Sequence, residues 1–153
     1  MQRIPTWIPA GLLLACLGGG VVAADMAGVV HDRQAHFKQI GKAAKGIKEA
    51  LGAPAPDVKA IQGYAKTIDQ LAPQLPTWFP AGSGPQPGVK TEAKAVIWTK
   101  ASDFKSAADG FASEAKRFDA VAAGGDAAAI RAGYGALGKA CKTCHDQFRE
   151  KDD

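Results

Sequence analysis

The stretch "DAAAIRAGYGALGKACKTCHDQF", residues 126–148, places apolar or small side chains at alternating steps of three and four: Ile130, Tyr134, Leu137, Cys141, Cys144 and Phe148. That rhythm is the seam of an amphipathic helix packed against other helices. Asp126 opens it as an N-cap, a carboxylate placed to accept from unpaired backbone N–H groups. Helical geometry puts Cys141 and His145 about 40° apart, and Cys144 about 60° to the other side of Cys141. Two thiols and an imidazole therefore share the inward face.

Toward the N-terminus the same rhythm recurs three times. The first segment reads Val30, Arg33, Phe37, Ile40, Ala44, Ile47 and Leu51, with Arg33 its one polar member, and stops at "LGAPAP", residues 51–56. Asp57 caps a second segment, Val58, Ile61, Ala65, Ile68 and Ala72, which Pro73 and Pro76 break. A third begins near Thr91 and passes through Ile97, Phe104, Phe111 and Phe118 to the turn "AGGD", residues 123–126. Between the second and third lies "PQLPTWFPAGSGPQPGVK", residues 73–90, whose Pro and Gly predict no regular structure. Trp78 and Phe79 predict that this long connection is packed down onto the rest. Four helices, three connections and no strand pattern predict an all-α fold, an antiparallel up-down-up-down four-helix bundle. Many seam positions are alanine, so the helices either approach closely or enclose something large.

The first two dozen residues read differently. "MQRIPTWIPAGLLLACLGGGVVAA" has one charge, Arg3, then an apolar run, then small residues that suit cleavage before Asp25. Residues 1–24 are thus expected to be a cleaved signal peptide that sends residues 25–153, a single domain, to the periplasm. The run is short and rich in Gly and Pro for a stable membrane span. An uncleaved anchor, or a lipid-modified Cys16, are the competing readings. Without Arg3 the chain carries 18 Lys and Arg against 15 Asp and Glu, a net +3. The charges alternate along the helices with no block of one sign, which argues against nucleic acid as a partner.

Loss of Cys16 with the signal leaves Cys141 and Cys144, followed at once by His145. C-x-x-C-H is the spacing of c-type haem attachment: two thiols add to the haem vinyl groups and the next imidazole reaches the iron. Zinc needs about four ligands, and the mature chain offers only two further histidines, both in the first segment. A redox dithiol usually opens a helix after a strand, and no strand pattern exists here.

The other side of the iron commonly takes His or Met. Met26, His31 and His36 are the mature chain's candidates. With Phe37 and Arg33 defining the inward stripe, His36 lies about 100° and His31 about 120° from Phe37. Both therefore face solvent or a neighbouring helix. Met26 falls within about 20° of the stripe but about 16 Å along the axis. Phe37 thus stands where a second ligand would be, and the expected centre is five-coordinate. The plainer reading, Phe37 as simple core, stays open on spacing alone.

Three stretches carry a resemblance across residues 25–153: "DRQAHFKQIGKAAKGI" (32–47), "PGVKTEAKAVIW" (87–98) and "CKTCHDQFRE" (141–150). With them the chain resembles cytochrome c′, the four-helix class of c-type cytochromes. The resemblance implies one haem c held by Cys141 and Cys144 with His145 as iron ligand. It implies Arg33 and Gln34 beside the propionates, Glu92 near the haem edge and Arg149 near the proximal pocket. A C-terminal cation balancing the helix dipole is the competing role for Arg149. An apolar residue at the position of Phe37 implies the five-coordinate branch, which binds nitric oxide and carbon monoxide and commonly forms homodimers through the first two helices. Gly41 and Gly46 would permit close backbone approach to haem or to a partner helix. The expected role is gas binding with one-electron capacity and no enzymatic turnover, since no distal acid–base pair faces the iron. The alternative is a plain electron carrier with an unidentified redox partner.

Overall fold

The computed structural model describes residues 19–151, with side chains from Met26 onward. Four long helices carry the fold. α1 is Gly19–Gly52, α2 is Val58–Leu71, a short α3 is Val96–Thr99, α4 is Ala101–Ala123 and α5 is Ala127–Phe148. Among the described residues there is no strand, only isolated bridges between Gln86 and Val89 and between Ala93 and Arg149. The all-α four-helix bundle expected from the periodicity is the observed architecture. The signal-peptide reading of residues 1–24 lies mainly outside the described residues, while residues 19–24 form the first turns of α1. Among the described residues no helix is long and apolar enough to cross a membrane.

Both predicted caps form. Asp57 Oδ1 accepts from the Ala60 N–H at 3.0 Å, and Asp126 Oδ1 from the Ala128 N–H at 3.0 Å. Each satisfies a donor that the first helical turn leaves unpaired. Buried Ile47, Ile61, Ile68, Phe118, Ile130 and Leu137 fill the core.

Two expectations need correction. The connection after α2 does begin with regular structure, a 3-10 helix over Ala72–Trp78. Pro73 sits in its first turn, where no N–H is needed, so proline starts this helix rather than forbidding it. The third segment is not helical from Thr91. Residues 92–94 run beside the end of α5 instead: the Lys94 N–H donates to the Phe148 carbonyl at 3.0 Å, and the Glu150 N–H to the Glu92 carbonyl at 2.8 Å. Their backbone groups find partners there, and helix begins only at Val96, with a break at Lys100.

α1 packs on α2, α2 on α4, and α4 on α5, but α1 and α5 barely touch. On the α1–α2 face the ring of Tyr64 lies over Gly46, where any Cβ would meet it at 2.5 Å. Gly46 therefore makes room for the Tyr64 ring of α2 within the chain. The gap between α1 and α5 is bridged by the Tyr134 hydroxyl, which donates to the Ala44 carbonyl at 2.8 Å.

Candidate functional site

The parted helices leave a cavity of about 540 Å³ between α1, α5 and the loop before α3. Ligand and cofactor pockets typically span about 300–1,000 Å³. Its wall gathers all eight residues that the motif, the inward stripe and the resemblance assign to the haem site. α1 contributes Arg33, Gln34 and Phe37; the loop contributes Glu92; the end of α5 contributes Cys141, Cys144, His145 and Arg149. Among the lining residues His145 is the one histidine, and there is no methionine.

Cys141 and Cys144 are half-buried free thiols. Burial pushes both thiols up, and for Cys144 the neighbouring Cys141 adds to it. They rest protonated, which disfavours thiolate metal binding or a reactive dithiol. Among the described residues no cluster of three His, Cys, Asp or Glu could hold a metal ion, so zinc has no further support. His145 lines the cavity and is itself exposed. Partial burial and then the Arg149 guanidinium push its imidazole below the usual histidine range, while Asp146 and Glu92 pull the other way. A neutral imidazole keeps a lone pair for a metal.

Arg33 is 3% exposed and makes no ion pair among the described residues. Its guanidinium donates to Ser83 Oγ at 3.1 Å, to the Ser83 carbonyl at 3.1 Å and to Thr91 Oγ1 at 2.9 Å. It also lies 4.5 Å over the Phe79 ring. Burial pushes its pKa down. A buried cation without a carboxylate is costly, so a cavity wall that holds one suits an anionic ligand group. Gln34 donates from Nε2 to the Lys90 carbonyl at 3.1 Å. Both residues therefore pin the loop against α1. Sequence reasoning missed Ser83, Thr91 and Phe79 as the partners of Arg33. A polar residue on an apolar seam was the signal that such partners exist, but not where they lie.

Phe37 meets Trp78 edge-on at 5.4 Å and Phe79 at 6.1 Å. His36 turns away from the cavity and stacks on Trp78 at 4.6 Å, and His31 is exposed beside Asp32. Met26 sits against Gly82 in the loop, and it is not among the lining residues. The angular argument thus holds for all three candidates. Arg149 Nε donates to Glu92 Oε2 at 2.6 Å, tying the end of α5 to the loop. Glu92 lines the cavity but is exposed.

These residues fit a c-type haem: paired protonated thiols, an adjacent neutral imidazole, an apolar wall and a buried cation. A family model described as Cytochrome C' matches residues 28–149. Cytochrome c′ of Rubrivivax gelatinosus is 49% identical over 117 residues, 76% of this chain and 84% of that protein. A solved cytochrome c′ with ligand-controlled dimer dissociation superposes with a TM-score of 0.77 at 26% identity, covering 82% of this chain and 97% of that one. A nitric oxide complex of a cytochrome c′ variant from Alcaligenes xylosoxidans gives 0.73 at 25% identity, covering 82% and 97%.

Proposed function

The chain belongs to the cytochrome c′ family, and on that premise we propose that it holds one haem c in the α1–α5 cavity and binds nitric oxide or carbon monoxide on the side shielded by Phe37. The observation that carries this reading is the cavity wall. It offers His145 and no other histidine or methionine, with Phe37 on the α1 side. When bound, the haem would supply an iron that takes a diatomic ligand and exchanges one electron.

The chain's own residues do the rest. Cys141 and Cys144 anchor the group covalently, and His145 presents its neutral imidazole to the metal. Phe37, backed by Trp78 and Phe79, excludes water and anions and admits small uncharged molecules. Arg33, steadied by Ser83 and Thr91, and Gln34 beside it would receive the haem's anionic propionates. Arg149, held by Glu92, would help to hold the group from the end of α5.

The protein is a binding and carrier protein rather than an enzyme, exported to the periplasm by residues 1–24. One-electron exchange with a redox partner would use the opening at His145. A homodimer forms through α1 and α2, where Tyr64 is 38% exposed, the one large hydrophobic residue left exposed among the described residues. Optical titration of the reduced, haem-loaded protein with nitric oxide tests the reading. A stoichiometric nitrosyl spectrum is expected, and no spectral change at excess nitric oxide refutes it.

A further inference from the structure

A second hollow of about 370 Å³ lies on the outer face of the bundle between α4 and α5. Its walls are small, with Ala107 and Gly110 on α4 and Ala136 and Ala140 on α5. Of its polar side chains, Glu114, Lys139 and Thr143, two are engaged within their own helices. Glu114 accepts from Arg117 Nε at 3.1 Å, and Thr143 Oγ1 donates to the Lys139 carbonyl at 2.9 Å. Beyond these groups and the Lys139 ammonium the lining is apolar, which suits an uncharged molecule.

Its floor is Phe111 and Cys144, and both also line the large cavity. Two side chains therefore separate this hollow from the haem-binding space. Phe111 is 5% exposed, and among the described residues no other ring packs against it, unlike Phe104, which meets Phe79 and Phe148. Rotation of the Phe111 ring breaks no aromatic pair. The α1–α5 cavity carries more charge, with Arg33, Lys38, Glu92 and Arg149 on its lining against Glu114 and Lys139 here.

We propose that the α4–α5 hollow is a route by which an uncharged diatomic molecule passes into and out of the haem cavity, with Phe111 as its moving wall. This inference rests on the gas-binding function proposed above. A route shared by arrival and departure lowers or raises both rate constants by the same factor and leaves their ratio unchanged. A change at the binding site alters the ratio instead.

Gly110→Phe is the blocking variant. Gly110 lines the hollow and a Cβ there meets nothing within 4 Å, so a side chain needs no backbone shift, a ring turned inward would fill the hollow, and helix propensity improves. Gly135→Leu, at an equally open α5 position outside the hollow, is the control. Carbon monoxide association and dissociation are followed by flash photolysis and stopped flow on the haem-loaded proteins. Gly110→Phe is expected to slow both by about threefold or more at unchanged Kd, with Gly135→Leu like the parent. Crystals of the parent under xenon pressure should hold xenon in the hollow, and Gly110→Phe crystals should not. Unchanged rate constants in Gly110→Phe, a shift in Kd, or a hollow empty of xenon in the parent would each overturn the route. Failure of the parent to bind carbon monoxide at all would instead defeat the gas-binding function, and the route with it.

Discussion

Replacing Phe37 separates its two roles, packing and shielding. Its ring makes edge-on contacts with Trp78 at 5.4 Å and Phe79 at 6.1 Å. Such pairs contribute about 0.5–1.5 kcal/mol each, so losing both costs about 1–3 kcal/mol. Phe37→Leu and Phe37→Met lose them alike, and urea denaturation of the two should show similar drops in stability. Only methionine carries a sulfur that can ligate iron. The Met variant should convert toward a six-coordinate low-spin spectrum, with carbon monoxide affinity down about tenfold, equivalent to about 1.4 kcal/mol. The Leu variant should stay five-coordinate and bind carbon monoxide at least as well as the parent. Identical spectra and affinities in the two variants, with stability lost in both, would refute the reasoning and leave Phe37 as core alone.

Other sites give further tests. Arg33→Leu removes three hydrogen bonds from a charged donor and relieves a buried charge. The net loss should be about 2–4 kcal/mol, with faster protease cleavage in the loop over residues 79–95. A loop as resistant as the parent's would contradict the clamp. Burial raises the Tyr134 pKa, so its contribution to stability is full below about pH 10 and is lost as pH rises through the folded value. Tyr134→Phe should cost about 1 kcal/mol at neutral pH and flatten that alkaline decline, as urea midpoints across pH 8–11 would report. Asp126→Ala should cost about 1 kcal/mol through the lost N-cap of α5, measured by thermal unfolding. Tyr64→Glu puts a charge on the α1–α2 face and should shift the protein to monomer in analytical ultracentrifugation, whereas an unchanged oligomer would place the interface elsewhere.

Local rules carried the helices well, because their causes are local. The seam from Ile130 to Phe148 and the caps at Asp57 and Asp126 depend on residues within a turn or two, and each appears as expected. The site was legible for a related reason. C-x-x-C-H is compact in sequence, and the angles that set Phe37 inward and His36 aside follow from one helix. The connection after α2 was misread for a local reason, since Pro73 starts a helix there, whereas the start of the third segment depends on partners distant in the chain. Residues 92–94 forgo helix because Phe148 and Glu150 offer backbone groups more than fifty residues away in sequence. No local rule shows that the Tyr64 ring covers Gly46. Arg33 showed itself as an odd polar seam residue, but Ser83 and Thr91 lie in a loop whose path no periodicity predicts.

Among the residues that line the α1 side of the cavity there is no histidine or methionine to ligate iron. Electron paramagnetic resonance of the resting ferric, haem-loaded protein measures this most directly. A high-spin signal from a five-coordinate centre is the predicted result, and a low-spin six-coordinate signal would contradict the account.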